Sequence, residues 1–386
     1  MTPRSRGSEA GTAPSGVQKS MTPGSLLADL PERSRILIIR LRSIGDVVLL
    51  TPALQLLKSW RPDFVVSVLV EARFRELLQG NPDVDEILSP GEGPIKIASR
   101  LSAALALWRK EFAVCLNLHG GPTSRFLTKV SGARTRVGFE HFRSPQQYQV
   151  LVPDARRILN QPTLHTAEHQ ACAFFYLGLP RKEIPRARIF VRAEHKAWWE
   201  QRRSHLGLAS GQEYAMVHPT ALYPTKQWAA EKFAQLAVAL EQEMGLKPVF
   251  SCGPGEGAVL DAVQNASSSA ICRLENSGLG QLAAAFSGAR LFVGNDSGPA
   301  HIAAALARPV VVIFGSSSSA IWGPWPRQPS DPPAQVVQNF YECNPCPGDR
   351  CYRFERPECI LSVSLEQVKS AVESVLARSA ARHVDK

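Results

Sequence analysis

The sequence predicts an α/β protein made of two Rossmann-like domains whose parallel sheets face each other across a cleft. Three observations carry this. Short apolar runs alternate with amphipathic runs along almost the whole chain, the pattern of βα units. The rhythm stops at a charged link and restarts at Tyr214. The length of 386 residues, 44% of them hydrophobic, suits two domains of ordinary size. The boundaries read as a disordered tail over 1–33, a first domain over 34–185, a second over 186–362, and a C-terminal helix and tail over 363–386.

The first 33 residues are rich in Ser, Gly, Thr and Pro and contain no continuous apolar core. That composition predicts disorder, no signal peptide and a cytoplasmic protein. The first domain then opens with strand "RILIIRL" and a helix from Asp46 to Trp60. Strand "FVVSVLV", helix "ARFRELLQGNP" and short strand "VDEILSP" follow. Next come a long helix "IKIASRLSAALALWRKE", strand "FAVCLNLHG", helix "SRFLTKVSGA" and short strand "TRVGF". "TLHTAEHQACAFFYLGL" closes the domain as a helix. "ARIFV" and "AEHKAWWEQRRSHLG" form the link.

In the second domain, strand "YAMVHP" leads to helix "AEKFAQLAVALEQEMG", strand "KPVFSC" and helix "AVLDAVQNA". Strand "AICRL", helix "GLGQLAAAFSGA", strand "RLFVGN", helix "PAHIAAALA" and strand "PVVVIFG" follow, and "LEQVKSAVESVLARSA" is the last helix. Ligands of such sheets bind outside the carboxyl ends of the strands, so the chemistry belongs in the βα loops.

Three loops of the second domain describe a nucleotide-diphosphate site. In "FVGNDSGPAHIAAAL", Asp296, Ser297 and Gly298 precede a proline at the first helical turn. A helix start of that kind offers free N–H groups to an anion, and His301 lies one turn in. "HPTALYPTKQW" places Thr220 and Lys226 before a helix, where the lysine can neutralise a diphosphate. "CGPGEG" carries Gly253, Gly255 and Glu256, the last suited to a ribose hydroxyl. The first βα turn is different. It has no glycine-rich phosphate loop, only Gly45 followed by Asp46, which alone reads equally as a helix cap or as a catalytic carboxylate.

The net charge is +10. Between Arg100 and Arg157 ten basic residues stand against three acids, which predicts a surface for an anion. No motif of interleaved aromatic and basic residues accompanies them, which argues against nucleic acid. Cys115, Cys172, Cys252 and Cys272 read as core. Cys343, Cys346, Cys351 and Cys359 form a Cys-x2-Cys-x4-Cys-x7-Cys cluster. It is a candidate for a metal, a reduced structural loop or a disulfide, with the reduced loop favoured in a reducing compartment.

"LRSIGDVVLLTPAL", "GGPTSRFLTKVSGARTRVGF", "HTAEHQ", "HPTALYPTKQWAAEKFAQLA", "GPGE", "DSGPAHIAAAL", "FGSSSSAIWGPW" and "CNPCPGDRCYRFERPECILSVSLEQV" resemble, in order, the motifs of glycosyltransferase family 9, the bacterial heptosyltransferases. The resemblance runs from about Arg35 to Leu365. It implies a GT-B fold with an acceptor-binding first domain and a donor-binding second domain. It implies an inverting, metal-independent transfer, usually from ADP-heptose, onto lipopolysaccharide core, with no cofactor. It places the catalytic aspartate on Asp46, the donor lysine on Lys226, and the Asp-[Thr/Ser]-Gly-x-x-His motif on Asp296, Ser297, Gly298 and His301.

The core acceptor carries phosphates and carboxylates. Arg40, Arg42, Arg125, Arg134 and Arg136 are the expected contacts, with a further role in peripheral binding to an anionic inner-membrane surface. The competing readings are a relative using another nucleotide sugar or surface-glycan acceptor, and a nucleotide-sugar epimerase of similar fold. The basic first half argues against the epimerase, which needs no acceptor surface.

Overall fold

The structure, a computed structural model, describes residues 23–90, 105, 107–325 and 331–384. Most of the expected tail, most of the helix expected over "IKIASRLSAALALWRKE", and Arg100 lie outside these residues. The first sheet contains β1 (Arg35–Ile39), β2 (Val65–Leu69), β3 (Glu86–Leu88), β4 (Val114–Asn117), β5 (Thr135–Phe139) and β6 (Val150–Val152). The second contains β7 (Tyr214–His218), β8 (Lys247–Ser251), β9 (Cys272–Leu274), β10 (Leu291–Asn295), β11 (Val310–Phe314) and β12 (Ala334–Gln338).

The strand orders are β3-β2-β1-β4-β5-β6 and β12-β11-β10-β7-β8-β9. Every pairing is parallel: Ile36 stands beside Val114 and Val66, and Val293 beside Val217 and Val311. Relabelled within each domain, both orders are 3-2-1-4-5-6, the doubly wound arrangement of a Rossmann-like sheet. Each sheet therefore reverses direction between its first and fourth strands. The crevice at that point lies outside the carboxyl ends of β1 and β4 in one domain, and of β7 and β10 in the other. The central strands are buried on both faces, which explains their unbroken apolar runs.

The segment expected as one helix from Asp46 to Trp60 is two, Ile44–Val48 and Thr51–Trp60. Pro52 has no N–H for the carbonyl of Val48; the Thr51 hydroxyl donates to that oxygen instead, at 2.7 Å. The "ARFRELLQGNP" run forms only a 3₁₀ turn, Ala72–Leu77. β6 and β12 did not stand out in the sequence, being a three-residue strand and a half-buried edge strand. The link "ARIFV" is extended without strand pairing: Arg188 pairs with Asp83 at 2.6 Å and its N–H donates to Thr51.

Packed chain begins earlier than residue 34. Leu26 and Leu27 are buried in the first core, and the N–H of Leu27 donates to the carbonyl of Leu177 at 2.9 Å. Two leucines in a polar stretch suffice to anchor it. The terminal helix Leu365–Val384 is likewise integral to the second domain, burying Val368, Ala371, Val372 and Val375 in its core. A single hydrophobic cluster continues from Val47 and Leu50 to Ile302 and Ala303, so the two domains share packed apolar surface. Among the described residues, no helix is long and apolar enough to cross a membrane.

Candidate functional site

Asp46 stands in the first turn of the helix Ile44–Val48, at the crevice above β1 and β4. Ser43 is the helix cap; its hydroxyl also donates to Asp46 Oδ2 at 2.9 Å. Oδ1 faces the Arg40 guanidinium in an ion pair whose side chains are only 13% and 15% exposed. Arg40 also donates to the Leu118 carbonyl, and Gln170 donates to the Asp46 carbonyl at 3.1 Å. The aspartate is thus both a helix-cap neighbour and a fixed, charged carboxylate. Oδ1 is buried against Arg40, which leaves Oδ2 as the oxygen for a ligand.

A cavity of about 680 Å³ opens beside it. His119, Phe142 and His169 line it from the first domain and Trp322 from the second. Burial and the neighbouring Arg40 and Arg42 hold His119 below its ordinary range. Burial, with His141 nearby, pushes His169 down to about 4.

The second domain's residues assemble on the facing side. Lys226 Nζ meets Asp296 Oδ2 at 2.7 Å, and Ser317 donates to the same oxygen. Asp296 thus holds the lysine. Thr220 donates to Glu256 Oε2 at 2.6 Å, and Gly253 N–H donates to it at 2.8 Å. Glu256 thereby closes the glycine loop, with Gly255 at φ +81° where a side chain would be strained. His218, buried under Thr220 and Ser251, is pushed down to about 4. The Ser297 hydroxyl and His301 Nδ1 are buried without a hydrogen-bond partner in the chain.

Two glycines permit a close approach between the domains. A Cβ on Gly45 would lie 2.8 Å from the His301 ring. Gly298 makes room for Ile44, whose Cβ would be 2.5 Å away from an added Cβ. These glycines let the helices Ile44–Val48 and Gly298–Ala305 touch, bringing the Asp46 turn onto His301. Gly45→Ala must displace that ring. It is expected to lower kcat/KM on the order of 10²-fold and, by overpacking the domain contact, to lower the melting temperature by a few degrees, as measured by steady-state kinetics and calorimetry.

The five expected acceptor arginines do not converge. Only Arg40 lines the cavity, and it is committed to Asp46. Arg42 pairs with Glu71, Arg125 donates to Ser144, and Arg136 donates to the Gln147 carbonyl. Arg134 lies with Arg109 and Lys110 in a groove at the amino ends of β1, β4 and β5, the wrong end of the sheet. Charge counted along the chain does not distinguish the two ends of a strand. The cavity residues missed by that count, His119 and His169, stand at the end of "FAVCLNLHG" and in the "HTAEHQ" motif.

The four clustered cysteines line one cavity of about 210 Å³ and all are free thiols. Burial raises Cys346 and pushes Cys359 up to about 11. Among the described residues, no group of three His, Cys, Asp or Glu side chains is arranged to hold a metal. Their segment braces the lysine loop: Thr225 donates to the Gly348 carbonyl, and Cys346 N–H donates to Ser316 at 3.0 Å.

The buried histidines set an acid limit. A group lowered on folding stabilises fully above its unfolded value near 6.5 and loses that contribution as pH falls toward 4. Stability is expected to drop across this window by on the order of 3 kcal/mol for each of His169 and His218. A urea midpoint that does not move between about pH 7 and pH 4 would refute this.

The profile of glycosyltransferase family 9 (heptosyltransferase) matches residues 100–352. Lipopolysaccharide heptosyltransferase 3 of Escherichia coli is 26% identical over 349 residues, 88% of this chain and 97% of that protein. Lipopolysaccharide heptosyltransferase 2 of Salmonella typhimurium is 26% identical over 74% of this chain and 83% of its own length. Among solved structures, a family 9 glycosyl transferase from Veillonella parvula superposes with a TM-score of 0.76 at 23% identity, covering 90% of this chain and 98% of that one. The ADP-heptose lipopolysaccharide heptosyltransferase II of Escherichia coli superposes at 0.72 with 20% identity, covering 90% and 99%.

Proposed function

The chain belongs to glycosyltransferase family 9 and is a glycosyltransferase of the heptosyltransferase kind, and from that premise we propose that it moves heptose from ADP-heptose onto the inner core of lipopolysaccharide. The observation that carries the reading is the contact of Gly45 with His301. It sets the Asp46 turn of one domain against the start of the helix Gly298–Ala305 of the other, beside the Asp296 that holds Lys226.

In this reading Asp46 is the general base. Its carboxylate takes the proton of the acceptor hydroxyl as that oxygen attacks the anomeric carbon. The bond from that carbon to the diphosphate breaks on the opposite face, its electron pair leaves on ADP, and the configuration inverts. Lys226, the N–H groups at Ser297 and Gly298, and the dipole of the helix Gly298–Ala305 receive the departing charge. These groups, rather than a divalent cation, do the neutralising. The orphan Ser297 hydroxyl and His301 Nδ1 suit the same diphosphate. His301 is held below its ordinary range by burial, so its free nitrogen meets the ligand as part of a neutral ring. Phosphates and carboxylates on the core, together with the net charge of +10, favour a peripheral position at an anionic membrane surface.

The test is turnover of ADP-heptose with a purified core acceptor, read by product mass and by the anomeric configuration in NMR. A heptosylated product of inverted configuration formed in excess chelator is expected. Preference for a UDP sugar, or epimerisation of the donor without transfer, would overturn the assignment.

A further inference from the structure

We propose that the cavity beside Asp46 is a subsite for a neutral sugar ring bearing neither phosphate nor carboxylate, and that Trp322 is the platform on which that ring stacks. This rests on the heptosyltransferase reading and specifies its acceptor. Charge is the first argument. The arginines lining the cavity are Arg40 and Arg156, and both are committed. Arg40 faces Asp46, and Arg156 grips Asp154 at 2.6 and 3.0 Å. Glu140 adds a third carboxylate, which Arg157 faces at 3.6 Å, so each acid of the lining already has its own cation. An entering phosphate would find no uncommitted arginine in the lining. A sugar hydroxyl, by contrast, is a donor and finds acceptor oxygens.

Shape is the second argument. Trp322 is 36% exposed and lines the cavity from the second domain. His141 and Phe142 line it from the first, as an edge-to-face pair 4.9 Å apart. Exposed aromatic faces of this kind suit the C–H face of a pyranose rather than an ion. The platform is held in place across the domain boundary. Trp322 N–H donates to Ser318 at 3.0 Å, and the Thr166 hydroxyl donates to the Ile321 carbonyl at 3.1 Å. Acceptor choice thus depends on the donor domain as well as the acceptor domain. The anionic groups of a core would be carried by neighbouring sugars, outside this cavity.

The experiment compares two synthetic acceptors with ADP-heptose: a core oligosaccharide ending in an unmodified heptose, and the same compound phosphorylated on that heptose. The unmodified sugar is expected to win by about tenfold or more in kcat/KM. Trp322→Ala is expected to raise the acceptor KM about tenfold while the ADP Kd stays unchanged, and Trp322→Phe to keep most of the affinity. An unchanged ADP Kd shows that the variants remain folded. Equal or better use of the phosphorylated sugar, or an acceptor KM indifferent to Trp322→Ala, would overturn the subsite. Neither acceptor being taken while ADP-heptose binds would overturn it too. Failure of the wild-type protein to bind ADP-heptose would instead bring down the heptosyltransferase reading beneath it.

Discussion

Asp46→Asn is expected to lower kcat by about 10²- to 10⁴-fold, the contribution of a positioned general base. The amide keeps the volume and the Ser43 contact but cannot take a proton. Donor binding should hardly change, because the groups assigned to the donor come from the second domain. A modest cost in stability accompanies the loss, since Arg40 would then face a neutral group. Its side chain is 13% exposed and keeps the Leu118 carbonyl as a partner, so about 1–2 kcal/mol is expected rather than the full cost of a stranded buried charge. Steady-state kinetics with ADP titrations and calorimetry separates these effects. A variant that retains most of the wild-type kcat would end the base assignment.

Lys226→Ala is expected to weaken ADP binding by about 10- to 100-fold, the worth of one charge-assisted contact to a phosphate. The variant also leaves Asp296, 6% exposed, without its cation and facing the diphosphate. The two effects can be told apart. Adding Asp296→Asn should recover melting temperature, because the uncompensated carboxylate is gone, but should not restore wild-type ADP affinity. If the double variant binds ADP like the wild type, the lysine serves only to neutralise Asp296. Titration calorimetry of the three variants decides between these outcomes.

The two domains and the position of their loops were readable because βα alternation is a local signal. Runs such as Val310–Phe314 are apolar throughout because both faces of the strand are covered. The helix starts of the second domain were readable for a similar reason: caps, prolines and glycines mark a helix start whatever surrounds it. Interruptions were less legible. The break after Val48 depends on one proline, and the anchoring of the N-terminal segment on two leucines in polar surroundings. The strands β6 and β12 are too short or too half-buried to show a period.

The sequence by itself determined the two parallel sheets, the helix starts that follow their strands, and the presence of Asp46 and Lys226 in βα turns. Tertiary structure alone decided what those residues touch. Strand order sends Arg134 to the amino end of the first sheet while Arg40 stands beside Asp46. Packing of one domain on the other places His301 on Gly45, and Trp322 over a cavity built mostly by the first domain. Asp296 proves to be the partner of Lys226 across 70 residues. Periodicity and capping reach over a few residues, whereas these contacts join segments far apart in the chain. They exist only once the sheets have closed and the two crevices meet.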